Sequence, residues 1–151
     1  MSRDGDIILV DMDHTLSDAR WRDHMITESM KEVDWQRYHS LCGTDAVFEP
    51  VAAVVRALRL CGAQIYVVTA RPKSFRVATE GWLVRNRIDV DALYMRDVGD
   101  RTPSARLKPK QILHHLPVSS LARVRLIIDD REDVIEEFAK IGICGLKVVM
   151  S

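Results

Sequence analysis

Five short apolar runs without polar alternation constrain this chain more than any other feature. They are Ile7-Ile8-Leu9-Val10, Ile65-Tyr66-Val67-Val68, Leu93-Tyr94-Met95, Val124-Arg125-Leu126-Ile127-Ile128 and Leu146-Lys147-Val148-Val149-Met150. Each has the length of a strand, and a strand that is apolar on successive residues must be covered on both faces. Amphipathic stretches bounded by turn residues separate the runs. Pro50, suited to a first helical turn, opens a stretch carrying Val51, Val54, Leu58 and Cys61 that closes at Gly62. Ser74 is placed to cap a second helix with Phe75, Ala78 and Trp82 on its face, and Val134, Ile135, Phe138 and Ile141 mark a third that stops at Gly142. This alternation predicts an α/β fold: a Rossmann-like parallel sheet of about five strands with helices on both faces, binding ligands beyond the carboxyl ends of the strands.

Residues 17–47 interrupt the alternation. Trp21, Met25, Met30 and Val33, followed by Trp35, Tyr38 and Leu41, predict two short helices inserted after the first strand, a small helical cap. Residues 97–106, with Gly99, Thr102, Pro103 and Ser104, read as a loop. No repeat or low-complexity tract divides the chain, so residues 1–151 are expected to form a single domain. With 47% apolar residues, 151 residues can bury roughly two-thirds of their unfolded surface, which excludes a disordered or disulfide-dependent mini-fold.

Charge excludes other classes. The 22 basic and 22 acidic side chains balance, so no global field collects nucleic acid or anionic membrane from a distance, and any affinity for phosphate must be local. Cys42, Cys61 and Cys144 are odd in number and set in apolar context, which predicts reduced core residues rather than disulfides or zinc ligands. The run Ile7–Val10 follows Asp4 and Asp6 and is too short for a signal segment or a membrane span, so a cytoplasmic protein without membrane partners is expected.

The polar residues at the ends of the runs share one chemical logic. Asp11-Met12-Asp13-His14-Thr15 follows the first, Thr69-Ala70-Arg71 the second, and Asp129-Asp130-Arg131-Glu132-Asp133 the fourth. A parallel sheet brings these tips to one rim. Two unit charges 4 Å apart repel by roughly 4 kcal/mol at an effective dielectric near 20, and a hard divalent cation would relieve that strain. Mg2+ takes oxygen ligands and keeps waters for exchange, so the carboxylates of this rim suit it. A carboxylate beside a bound phosphoryl group can attack it, and a second carboxylate two residues along can serve the leaving oxygen. Asp11 and Asp13 have that spacing. The amides of Met12 and Asp13 and the hydroxyl of Thr69 can face phosphate oxygens, and Lys108, with Lys110 as second candidate, supplies a cation.

Each piece alone has a plainer explanation. An Asp-x-Asp-x-Thr is often a turn or a helix cap, Thr69 a strand-end hydroxyl, Lys108 a solvated residue at a helix start, and Asp129-Asp130 the cap of the following helix. Their order and placement together carry the signal. That order resembles the haloacid dehalogenase superfamily of phosphohydrolases over nearly the whole chain. Asp11-Met12-Asp13-His14-Thr15-Leu16 is similar to its first motif, Val67-Val68-Thr69 to its second, Lys108 to its third and Ile128-Asp129-Asp130 to its fourth. The resemblance implies that Asp11 forms an aspartyl-phosphate and that Asp13 acts as general acid, then base. It also implies that Mg2+ is held by the Asp11 carboxylate, the Asp13 carbonyl, Asp129 and Asp130. The superfamily usually has glycine where this chain has His14. Within it, Cys42-Gly43-Thr44-Asp45 leading into Val67–Arg71, and Ile128–Arg131 through Gly142, look most like the 3'-phosphatase domain of phage-type polynucleotide kinase. With no Gly-rich phosphate loop and no room for a kinase domain, a stand-alone phosphatase is expected.

An insert of this size leaves the rim open enough to admit a polymer end. The substrate expected from the resemblance is a phosphorylated nucleic-acid end or a nucleotide. Met12, Ala70, Arg71, Arg76, Trp21 and Trp35 are its candidate contacts, the tryptophans by stacking on a base or, equally, as the core of the cap. Arg101, Arg106, Lys108 and Lys110 form a basic cluster without an acid that can track a nucleic-acid backbone or stay hydrated. Arg71 can instead pair with a motif carboxylate. His24, His39, His114 and His115 read as helix-surface residues. Two other functions use similar parts. A phospho-receiver module places its acidic pair on the first strand and its phosphorylated aspartate on the third, the reverse of the order here. A silent binder of nucleic-acid ends has no need of Asp13. A 5'- or 3'-nucleotide monophosphatase is the alternative within the superfamily.

Overall fold

The computed structural model describes residues 5–151; Met1 to Asp4, the start of the expected domain, lie outside them. Five strands form one parallel sheet: β1 (Ile7–Val10), β4 (Gln64–Pro72), β5 (Ala92–Arg96), β6 (Val124–Asp129) and β7 (Cys144–Lys147), in the order β5-β4-β1-β6-β7. The chain winds outward from β1 to β4 and β5, then returns to the other side of β1 through β6 and β7. This reversal at β1 opens a crevice beyond the carboxyl ends of the central strands.

Burial on both faces accounts for the unbroken apolar runs. Ile8 and Val10 face one core with Val51, Ala52 and Val55 of α2 (Glu49–Leu60) and Trp82 and Leu83 of α3 (Arg76–Arg85). Ile7 and Leu9 face the other, with Ile112 of α4 (Ser104–His115) and Val134 and Phe138 of α6 (Glu132–Lys140). A one-turn helix, α5 (Val118–Leu121), precedes β6. Gly62 and Gly142 end α2 and α6 at φ 96° and 82°, where a side chain would strain the backbone.

The insert differs from two helices. A two-residue antiparallel ribbon, β2 (Ser17–Asp18) with β3 (Ala46–Val47), forms its stem, and a 3-10 turn (Arg20–Met25) stands where the first helix was predicted. The second helix exists as α1 (Glu32–Ser40). Other expectations change as well. The helix after Pro72 starts at Arg76 behind a 3-10 turn, with no side-chain cap from Ser74. The segment expected to be a loop ends at Ser104, where α4 begins. The last strand sits earlier and is largely exposed, because it is a sheet edge. Of the cysteines only Cys42 is buried; Cys61 follows the exposed end of α2 and Cys144 opens the edge strand. Among the described residues, no helix is long and apolar enough to cross a membrane.

Candidate active site

The tips of β1, β4 and β6 assemble one site, as their alignment requires: Val10 pairs with Val67 on one side and Ile128 on the other. Asp11 follows β1, its amide donating to the Ile128 carbonyl at 3.0 Å. The next turn folds back on itself: the amide of Ser17 donates to the Met12 carbonyl at 2.9 Å and that of His14 to the Ser17 carbonyl at 2.8 Å. This geometry puts His14 at φ 61°, the left-handed region that glycine enters without cost. A bond from the His14 ring to Asp23 at 2.8 Å ties the turn to the cap and holds the strained residue.

Lys108 is not at a helix start. It lies inside α4, 2% exposed, with Nζ 2.7 Å from Asp11 Oδ1 and 2.6 Å from Asp129 Oδ2. The other Asp129 oxygen accepts the amide of Arg131 at 2.9 Å, and Thr15 Oγ1 donates to Asp11 Oδ2 at 3.2 Å. One lysine against three carboxylates leaves an excess of negative charge. Burial first, then the charge of Asp129, lifts the Asp11 carboxyl well above its ordinary range despite Lys108. The same two causes push Asp130 up to about 6. Burial works against the Lys108 ammonium, but Asp11 and Asp129 more than offset it and keep lysine charged.

Asp11, Asp129 and Asp130 each place a carboxylate oxygen within 4.8 Å of the others. Hard oxygen donors, excess negative charge and raised carboxyl groups fit a divalent cation such as Mg2+. Asp11 and Asp130 line the cleft, whereas Asp129 is fully enclosed behind it, where it accepts from Lys108 and the Arg131 amide. Asp11 and Asp130 would therefore reach a cation directly, with Asp129 holding Lys108 in place.

The Asp13 carboxylate is absent from that cluster. Arg71 donates to both its oxygens, from Nε at 3.0 Å and Nη2 at 2.8 Å, and Arg22 donates to Oδ1. Asp45 shares the same two arginines: Arg22 donates to it from Nε at 2.8 Å and Nη2 at 2.6 Å, and Arg71 lies at 3.3 Å. The guanidinium of Arg22 also lies 4.1 Å from the centre of the Tyr38 ring. Burial alone would raise Asp13, but Arg71 and then Arg22 hold its carboxyl far below the usual range. This buried lattice of two aspartates and two arginines joins the β1 turn, the cap and β4.

A cleft of about 920 Å³ opens over these groups, lined on the strand side by Asp11, Asp13, Thr69, Ala70, Lys108 and Asp130. The cap contributes Trp35, Tyr38 and His39, and the loop after β5 contributes Arg101 and Thr102. Several expected substrate contacts are elsewhere. Trp21 lies outside this cleft and donates its indole N–H to Asp45 at 2.9 Å. Arg76 is turned to Glu80 and the Leu93 carbonyl, because α3 directs it to the sheet edge. The Met12 side chain is fully buried, leaving only its backbone for the site, and the Arg71 guanidinium is committed to carboxylates. Arg22, Asp45 and His39 are site residues that the sequence pattern did not single out. Asp45 alone had a signal, in the Cys42–Asp45 stretch.

The family profile described as the polynucleotide kinase PNKP phosphatase domain matches residues 5–151. The chain belongs to this family. A chain of the Pnkp1/Rnl/Hen1 RNA repair complex has the same fold as this PNKP-type domain, with TM-score 0.76 and 23% identity, over 95% of this chain and 42% of its own. The chain thus spans less than half the length of that relative. A haloacid dehalogenase-like hydrolase from Streptococcus pneumoniae matches with TM-score 0.67 at 14% identity, over 97% and 85%. The class C acid phosphatase from Bacillus anthracis matches at 0.59 and 15%, over 85% and 53%. No curated protein matches significantly.

Proposed function

We propose that this PNKP-type phosphatase domain is a Mg2+-dependent phosphomonoesterase that removes 3'-phosphates from nucleic-acid ends through an aspartyl-phosphate on Asp11. The observation that carries the reading is the Asp11 carboxylate, held at 2.7 Å by buried Lys108 at the floor of an open cleft, with Asp13 two residues on. A cation at Asp11 and Asp130 would supply charge neutralisation for the phosphate and lower the Asp11 carboxyl.

The chain's own groups account for the remaining steps. An Asp11 oxygen attacks phosphorus, the bond to the leaving oxygen breaks, and that oxygen takes a proton from Asp13. Water then attacks the aspartyl-phosphate, gives its proton to Asp13, and releases phosphate with Asp11 restored. Thr69 lines the cleft and would donate to a phosphate oxygen, as would the amides of Met12 and Asp13, while Lys108 opposes the charge that builds there. With both oxygens on guanidinium groups, Asp13 is ionised and suited to the base step. For the acid step, the negative charge of a bound phosphate pulls against Arg22 and Arg71 and favours a protonated Asp13.

The open cleft and the likeness to an RNA repair chain support a polymer end over a small metabolite. The test is a phosphate-release panel with and without magnesium, comparing 3'-phosphorylated oligonucleotides, 5'- and 3'-mononucleotides and sugar phosphates. Preference for oligonucleotide ends supports the reading; preference for mononucleotides replaces it with a nucleotide monophosphatase.

A further inference from the structure

The two sides of Asp11 have different characters. Lys108, Asp129 and Asp130 hold one side, while Asp13 lies with Arg22, a cap residue, and Arg71. An ester attacked by Asp11 must direct its leaving oxygen at the group that protonates it. The leaving group therefore runs from Asp13 along the cap wall, where α1 supplies Trp35, Tyr38 and His39.

His39 is anomalous there. It is only 9% exposed, yet its Nδ1 is enclosed without a hydrogen-bond partner. Aromatic neighbours fix the ring: Trp35 stacks at 6.0 Å and 25°, Phe75 lies at 5.8 Å, and Tyr38 meets it edge-on at 5.3 Å. A buried polar atom left unpaired costs about 1–3 kcal/mol, and leucine would fill similar space without that cost. An orphaned bare nitrogen is more tolerable than an orphaned N–H, so the ring proton belongs on Nε2, the edge left to face the cleft. Burial, the dominant cause, pushes the imidazole down to about 4 and keeps it neutral near pH 7. The cap wall therefore offers a fixed, uncharged N–H donor beside the exposed face of Trp35. Such a donor matches a neutral oxygen better than a second phosphate, which cationic side chains elsewhere in the lining, such as Arg101 and Lys31, would suit.

We propose that His39 is a specificity-determining residue of the leaving-group site. It donates from Nε2 to a neutral oxygen of the nucleoside that carries the scissile phosphate, with Trp35 supplying the adjoining apolar face. The assignment presupposes the phosphomonoesterase reading, and the experiment separates the two.

The primary readout is the ratio of kcat/KM for a 3'-phosphorylated dinucleotide over p-nitrophenyl phosphate, which lacks the nucleoside. His39→Leu should lower that ratio by roughly tenfold or more, the worth of one well-placed hydrogen bond. His39→Gln, which keeps a neutral N–H donor, should recover most of it. An abasic substrate assigns the oxygen: a persistent effect places it on the sugar, a lost effect on the base. Equal losses on both substrates, or an unchanged ratio, overturn the proposal. Binding of the same dinucleotide to Asp11→Asn, followed by tryptophan fluorescence, decides the matter without turnover. Affinity roughly tenfold weaker on adding His39→Leu supports the proposal, and equal affinity overturns it. Absence of phosphate release from the unaltered chain overturns the phosphatase reading, while this titration still rules on His39.

Discussion

Replacing Lys108 by methionine tests the electrostatics of the site most severely. Its ammonium touches Asp11 at 2.7 Å and Asp129 at 2.6 Å in a position closed to solvent. At an effective dielectric near 20, each contact is worth roughly 6 kcal/mol before desolvation is counted. Desolvation of the three ions takes back most of this, and truncating one partner of a buried pair costs about 3–5 kcal/mol in practice. Methionine fills the volume, so the loss is electrostatic. It should also depend on pH with a defined sign. Asp11 and Asp130 have raised folded-state values, Asp130 at about 6. A carboxyl raised on folding stabilises when protonated, below its unfolded value near 4, and loses that contribution as pH climbs through the folded value. Without Lys108 both carboxyls rise further. Denaturant unfolding in the absence of divalent ions should therefore show a small deficit near pH 4 that widens to the full 3–5 kcal/mol at pH 7 and above. Phosphate release should fall by about a hundredfold or more. A deficit independent of pH, or one that shrinks as pH rises, would refute the placement of Lys108 among ionised carboxylates.

Four further outcomes follow from the geometry. Asp13→Asn should lower turnover of alkyl and nucleoside phosphates by roughly a hundredfold or more. It should affect aryl phosphates, whose leaving groups need no proton, much less; steady-state kinetics on both classes checks this. Arg22→Met strips Asp45 of its nearest cation, leaving it Arg71 at 3.3 Å and the Trp21 indole, and removes one of the two guanidinium partners of Asp13. It should destabilise the fold by about 3–5 kcal/mol by chemical denaturation, partly rescued by adding Asp45→Asn. His39 binds its proton less readily when folded, at about 4 against 6.5. Its stabilising contribution is therefore complete above pH 6.5 and falls by roughly 3 kcal/mol as pH drops through 4. His39→Leu should remove that slope in thermal melts and raise stability at pH 5. Magnesium at about a hundred times its dissociation constant should stabilise the chain by roughly 2.7 kcal/mol, an effect that Asp130→Asn weakens strongly, read by calorimetry.

The sheet and its acidic rim were legible because both leave periodic or positional marks. Unbroken apolar runs located β1, β4 and β6, and Asp11, Thr69 and Asp129 stand at or beside the ends of those runs. Lys108 was found by motif order while its setting was not. The segment 104–115 carries Pro109 and little apolar periodicity, so the sequence put a helix start at Lys108 itself and gave no sign that the helix begins at Ser104 and buries the lysine. The cap was the least legible part. A two-residue ribbon and a 3-10 turn have no period of their own, and they turn Trp21 away from the cleft while bringing Arg22 into it. Arg22, Arg71, Asp13 and Asp45 come from positions up to 58 residues apart, and only the closed cap makes them neighbours. Trp35 lines the cleft, while its neighbour His39, expected on a helix surface, is buried there. His14 shows a local demand met by an unlikely residue: the turn needs a left-handed backbone, and the bond to Asp23 compensates for the missing glycine.

The central claim is that the phosphoryl group passes through the side chain of Asp11. Rapid acid quench during turnover, borohydride reduction of any acyl-phosphate and peptide mass spectrometry test it directly. The account predicts conversion of Asp11 to homoserine, dependent on substrate and absent in Asp11→Asn. Full turnover with an unmodified Asp11, or reduction at another carboxylate such as Asp130, would contradict it.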